Sequence, residues 1–181
     1  MNGRAPVLWV VGLALAWLAT PAAAQELRVT PLVREGQVLV SFTMSAAFDN
    51  DVWATIRSGL PTTFSFDVEI RRGRAIWFDR TVSSATVSAT VRYDNLTRRY
   101  QVTRTIDGRV ESTPQVTDDQ DTVRLLMTAF DKLPLFSTAD LEANAEYYLQ
   151  VRARTSPRNA WFVWPWGRHK ASGRATFTFI S

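Results

Sequence analysis

Phe64-Ser65-Phe66-Asp67-Val68-Glu69-Ile70 is the stretch that decides the fold class. In an extended chain Phe64, Phe66, Val68 and Ile70 fall on one side and Ser65, Asp67 and Glu69 on the other, the period-2 pattern of a strand covering a core. The pattern returns from Ala85, where Ala85, Val87, Ala89, Val91 and Tyr93 alternate with Thr86, Ser88, Thr90 and Arg92. Such half-apolar strands fit an antiparallel sheet with one wet face, since a parallel sheet covered on both sides reads as a continuous apolar run. The turns between them are legible as well. Arg72-Gly73 closes one hairpin and Asp94-Asn95 another, and Asp107-Gly108 between Ile106 and Val110 is a two-residue hairpin signal.

Toward the N-terminus, Leu27, Val29 and Pro31 lead through Arg34-Glu35-Gly36 to Val38, Val40, Phe42 and Met44, which predicts a hairpin whose first strand sits at an edge, where Pro31 costs little. A helix is expected from about Ala46 to Ser58. Phe48, Val52 and Ile56 recur at helical spacing, Ser45 or Asp49 can cap the start, and Gly59 with Leu60-Pro61 supplies the stop.

Toward the C-terminus, Thr117-Asp118-Asp119-Gln120 reads as a capping box, with the Thr117 hydroxyl accepting from the Gln120 amide. Val123, Leu126, Met127 and Phe130 then form one apolar stripe of a second helix that Pro134 ends. Leu141, a turn-rich interval and Tyr147 open a strand in which Leu149, Val151 and Ala153 alternate with Tyr148, Gln150, Arg152 and Arg154. That order is similar to the tyrosine corner of immunoglobulin-like sandwiches, where the phenol bonds backbone a few residues upstream. A last strand runs from Ala175 to Ile180 with Phe177 and Phe179 on one face. The expected fold is mainly β, an antiparallel immunoglobulin-like β-sandwich of about seven or eight strands with two inserted helices. One strongly curved sheet wrapped around the second helix is the competing arrangement.

Residues 1–24 read as a signal peptide. Arg4 precedes the uncharged apolar run from Pro6 to Thr20, and Ala22-Ala23-Ala24 is a small-residue cleavage site. The run falls short of the roughly 20 residues a spanning helix needs, and no cysteine follows it to carry a lipid. Cleavage near Ala24 would leave 25–181 as a single domain, periplasmic or secreted. Its chain has no cysteine, so it has no disulfide even though export permits them. Without Arg4, 20 basic residues face 17 acidic ones, so the basic isoelectric point reflects arginine usage more than excess charge. Near-balanced charge and export argue against nucleic acid as a partner. The clusters Arg71-Arg72-Gly73-Arg74 and Arg98-Arg99 lie at turns beside acids and are expected to be solvated.

Candidate chemistry is sparse. His169 is the only histidine and sits in the basic run Gly167-Arg168-His169-Lys170, which lowers its basicity and disfavours a catalytic triad. One histidine and no cysteine cannot close a zinc site, and capping already accounts for Asp118, Asp119 and Asp121 without calcium. No cofactor or metal is expected. Asp67 and Glu69 project from one strand face roughly 7 Å apart, within the span of an inverting glycosidase pair. A hydrolase acting on an envelope polymer through these acids is therefore the competing function. The favoured one rests on Trp161-Phe162-Val163-Trp164-Pro165-Trp166, which carries more aromatic surface than one strand face can bury, with a proline that a central strand excludes. Some of Trp161, Phe162, Trp164 and Trp166 are expected to anchor the loop into the core, the reading the run favours, and those left exposed, with Arg168, suit a protein partner in the cell envelope or a membrane interface.

Several of these segments together resemble a known family. Phe78-Asp79 after Trp77, Tyr93-Asp94-Asn95-Leu96-Thr97-Arg98-Arg99-Tyr100, the Thr117 helix and Leu141 to Tyr147 are similar to the bacterial exported family catalogued as domain of unknown function 4390. The resemblance covers nearly all of the chain after the leader, and the tryptophan-dense tail departs from it. It implies a small exported protein with no assigned activity, often encoded near a nitrogen-regulation-type sensor kinase. The expected function is a non-enzymatic envelope binding or interaction module, accessory to membrane-bound signalling.

Overall fold

The computed structural model of the protein describes residues 27–45, 47–72, 80–157 and 171–180. Ten strands and two helices follow in the order β1 (Leu27–Arg34), β2 (Gln37–Met44), α1 (Asn50–Arg57), β3 (Thr62–Arg72), β4 (Arg80–Asp94), β5 (Arg99–Ile106), β6 (Arg109–Val110), β7 (Gln115–Thr117), α2 (Gln120–Thr128), β8 (Ala129–Ser137), β9 (Ala145–Pro157) and β10 (Ser172–Phe179). They form two sheets, one ordered β1-β2-β8 and one ordered β10-β9-β3-β4-β5-β6, with β7 also on β5. Every pairing among the described residues is antiparallel. The mainly β, two-sheet architecture is as the alternation of Phe64 to Ile70 implies. The strand total is higher than seven or eight because β6 and β7 are too short to show a period, and because β8 hides inside an expected helix.

Strand β3 is the middle of the molecule. It pairs along its whole length with β4 on one side and β9 on the other. Phe66, Val68 and Ile70 are wholly buried and Phe64 nearly so. Opposite them the smaller sheet contributes Val38, Val40 and Phe42. Phe42 lies 5.0 Å from Phe66 and 4.7 Å from Phe130, ring centre to ring centre, so one aromatic cluster ties β2, β3 and β8 across the sandwich. Burying rings of this size dominates core energetics, at roughly 1.5–3 kcal/mol for a Phe-sized side chain removed from water.

Three strands cannot cover seven, and the helices close the remainder. In α1, Asp49 caps the N-terminus by accepting from the Asp51 and Val52 amides, and Gly59 at φ 84° ends it in the left-handed conformation glycine tolerates. Trp53 and Ile56 face the sheet, with Phe48 tilted against Trp53 and edge-on to Phe64. In α2, Val123 and Met127 are buried while Leu125 stays exposed.

Two details of α2 differ from the sequence reading. Asp119, not Thr117, is the N-cap, accepting from Asp121 and Thr122. Thr117 is unavailable because it ends β7, paired with Tyr100, and its hydroxyl accepts instead from the Asp119 amide at 3.1 Å. The helix also stops at Thr128, well before Pro134. Phe130 belongs to β8, opposite Phe42, and Pro134 lies within that strand, opposite Leu39. Arg104 from β5 holds this helix-to-strand junction: its Nε donates to the Leu126 carbonyl at 2.9 Å and its Nη2 to the Ala129 carbonyl at 2.7 Å. The guanidinium sits 4.5 Å above the Phe130 ring, and burial lowers its pKa from the ordinary arginine value.

The Arg34-Glu35-Gly36 and Asp107-Gly108 turns behave as read, Asp94 pairs with Arg99 around a four-residue loop, and Gly73 of the Arg72-Gly73 turn lies outside the described residues. Asp107 at φ 49° and Gly108 at φ 78°, and likewise Glu35 and Gly36, take the paired left-handed conformation that matches hairpin twist. The tyrosine corner is present as a local bond, with the buried Tyr147 oxygen accepting from the Glu142 amide at 2.7 Å. At one margin of the sandwich β1 passes close to β10. A Cβ on Gly173 would lie 2.1 Å from the Leu27 carbonyl oxygen, so only glycine fits there.

Candidate functional site

Alternation fixes what β3, β9 and β10 show to solvent: each inward Phe, Val or Leu is followed by a polar residue turned outward. On this face Asp67 and Glu69 of β3 meet the arginines of β9. Arg154 Nη2 lies 2.5 Å from Asp67 Oδ2, and Arg152 Nη1 lies 3.5 Å from Glu69 Oε1. Arg71 Nε stands 3.8 Å from the other Glu69 oxygen. The Asp67 contact is close in distance but off the hydrogen-bond axis, so it is an ion pair rather than an aligned bond. Gln150 joins the row by accepting from Arg152 at 2.9 Å.

These partners define what the two acids can do. Asp67 and Glu69 side chains are recessed, at 21% and 23% exposure, whereas Arg152 and Arg154 stand out at 44% and 70%. Each carboxylate thus has a guanidinium as its neighbour across the strands, on the outer face of the sheet. A recess of about 400 Å³ among the described residues lies elsewhere, at the far end of β3 and β4, and is lined by Arg72, Arg80, Val82, Asp140, Glu142 and Tyr147. Arg72 and Arg80 are direct cross-strand partners, and Glu142 pairs with Arg72 across the opening.

The remainder of the face is hydroxyl-rich. Thr63 and Thr90 share a hydrogen bond of 2.9 Å across β3 and β4, and Ser65 and Ser88 one of 3.1 Å. On β10, Arg174 lies 3.5 Å above the Tyr148 ring and covers it, which is why an outward-turned tyrosine is almost fully buried.

The aromatic run Trp161, Phe162, Trp164 and Trp166, together with Arg168 and His169, lies outside the described residues, as does Asp79. Its two roots are described. They are β9, whose Arg154 is exposed, and Ala171, whose carbonyl accepts from the Ala153 amide at 2.8 Å. The segment therefore leaves and rejoins the sheet at the end of β9 that carries Arg152 and Arg154.

The acidic cluster before α2 serves as a cap. Hydrogen bonds from the Thr122 hydroxyl at 2.6 Å and the Thr122 amide at 2.8 Å lower the Asp119 pKa. The folded-state pKa lies below the unfolded one, so this cap contributes stability at neutral pH that is lost as pH falls through the lowered value. Asp94 behaves alike: the amides of Leu96 and Thr97 hold its carboxyl below its usual range and close the loop before Arg99. Among the described residues no group of three or more His, Cys, Asp or Glu side chains could hold a metal ion. No described helix is long and apolar enough to cross a membrane.

Sequence reasoning found Asp67 and Glu69 but missed their partners, since Arg152 and Arg154 lie more than 80 positions away and only the β3–β9 register joins them. No curated protein and no solved structure matches the chain. The model of the family described as Domain of unknown function (DUF4390) matches residues 19–159, ending before the aromatic run and β10, and the chain belongs to that family.

Proposed function

We propose that the protein is an exported binding or interaction module of the cell envelope, without catalytic activity and accessory to membrane-bound signalling. The observation that carries the reading is the setting of Asp67 and Glu69: each stands beside an arginine of β9, and neither lines the described recess at the far end of β3 and β4. Residues that would be the acid and base of a hydrolase act instead as anchors for outward-facing guanidinium groups. The Ala22-Ala23-Ala24 leader pattern supports export, and the aromatic run from Trp161 to Trp166 supports contact with a partner protein or a membrane interface. The signalling role rests on the family resemblance.

The test is a crosslinked pull-down from the native envelope, comparing the wild-type protein with a variant carrying Trp161→Ala, Trp164→Ala and Trp166→Ala. Loss of specific partners in the variant is expected. An unchanged partner set would remove the aromatic run from the reading. Turnover of any envelope polymer abolished by Asp67→Asn or Glu69→Gln would replace the reading with the hydrolase.

A further inference from the structure

The outward face of the larger sheet has a definite charge order. Asp67 and Glu69 lie low on β3, each beneath a guanidinium, while Arg152, Arg154 and Arg174 project beyond them from β9 and β10. The negative charges thus sit at the sheet and the positive ones at the solvent boundary. Glu146, the other acid on β9, stands at the opposite end of the strand from Arg154, opposite Thr178. An approaching ligand meets arginine first.

Strand geometry also spaces these groups. Residues two apart on a strand recur at roughly 7 Å and neighbouring strands lie about 4.8 Å apart, so the backbone positions of Arg152, Arg154 and Arg174 are spread out along β9 and β10, with the Arg174 guanidinium leaning over Tyr148. Each guanidinium has five donors in a planar fork suited to carboxylate or sulfate, and ion pairing to a recessed acid fixes its stem without using all of them. Beside these arginines lie the hydroxyl pairs Thr63–Thr90 and Ser65–Ser88, each with hydrogen-bonding capacity beyond its own partner.

We infer that this face binds an acidic polysaccharide, a polymer whose repeating carboxylate or sulfate groups match the arginines and whose sugar hydroxyls match the Thr and Ser rows. Charge complementarity selects the occupant. A membrane surface would require apolar side chains to insert. Among the described residues the exposed Val110 and Val116 lie at the opposite edge of the sheet, and the aromatic residue beside the arginines, Tyr148, is covered by Arg174. A single-stranded nucleic acid would require exposed aromatic platforms, and among the described residues of this face Tyr148 is covered by Arg174. The inference concerns the sheet face, not the aromatic run, and stands or falls separately from the partner-binding reading above.

The experiment measures binding of the purified protein to alginate oligomers, with neutral dextran and phosphatidylglycerol vesicles as the other probes. Alginate is expected to bind in a salt-sensitive manner and dextran not at all. The double variant Arg152→Gln/Arg154→Gln should weaken alginate binding at least about tenfold. The single reversal Arg154→Glu, at a largely exposed position that leaves folding intact, should weaken it comparably. Circular dichroism and the thermal midpoint check that both variants fold. The Trp161/Trp164/Trp166→Ala variant should bind alginate as the wild type does. Absence of alginate binding, equal binding by the folded arginine variants, or binding confined to the vesicles would overturn the inference.

Discussion

The two faces of the seven-stranded sheet are built from the same strands and obey opposite rules. Inward, Phe66, Val68 and Ile70 have no exposed surface and touch partners chosen by shape. Outward, Asp67 and Glu69 touch partners chosen by charge, and the β9 arginines they meet stand 44% and 70% exposed. The difference teaches where stability and recognition reside in this molecule. Dry contacts hold the sandwich together, since each buried ring removes apolar area from water. Wet ion pairs contribute little to folding, because solvent screens them and long side chains lose entropy on being ordered. What the outer face keeps is a surface pattern.

The sharpest test of that division is Phe66→Ala. It removes the ring that joins Phe42 and Phe130 and is expected to cost about 3–5 kcal/mol in denaturant unfolding. A loss under about 1 kcal/mol would mean that the two sheets are not held by this cluster. Gly173→Ala probes the margin, where the added methyl meets the Leu27 carbonyl and the backbone must move. Overpacking of this kind typically costs about 1–3 kcal/mol, and a neutral outcome by thermal melting would show that β1 and β10 do not approach this closely in solution.

Tyr147→Phe keeps the buried ring and deletes only the bond to the Glu142 amide. About 1 kcal/mol of destabilisation is expected, with faster hydrogen exchange at that amide. The outer face should give the smallest effect. Arg154→Gln is expected to shift stability by no more than about 0.5 kcal/mol, with a coupling to Asp67→Asn under about 1 kcal/mol in a double-mutant cycle. A larger coupling would make the ion-pair row part of the folding core and erase the contrast between the faces.

Much of this was written plainly in the chain. Phe64 to Ile70 and Ala85 to Val91 alternate without interruption because each strand buries one face only, and the structure buries those same residues. Asp49 was one of two caps expected for α1, and it is the one used. Strand β8 was not legible, for a reason visible in its pairing. Its register against β2 slips twice, between Val38 and Leu39 and between Val40 and Phe42, and each slip inserts unpaired residues. Burial then falls on Phe130, Leu133 and Phe136, every third residue, which mimics the spacing of a helix. The apolar stripe from Val123 thus runs on through Phe130 although the backbone has changed state. Arg104 was equally hidden: a charge in an alternating strand reads as outward, and only the carbonyls at the end of α2 make an inward position tenable.

By itself the sequence determined the local states that depend on nearest neighbours: the two-faced strands, the Glu35-Gly36 and Asp107-Gly108 turns, a helix in the region of α1 and the cysteine-free composition. Tertiary structure alone decided the rest, because it depends on residues far apart in the chain. The register of β9 on β3 set which arginine meets which acid, the bulged pairing of β2 turned the end of an apparent helix into β8, and the approach of β1 to β10 made one glycine obligatory. Side-chain period is a property of a single segment, whereas an ion pair or a bulge is a property of two.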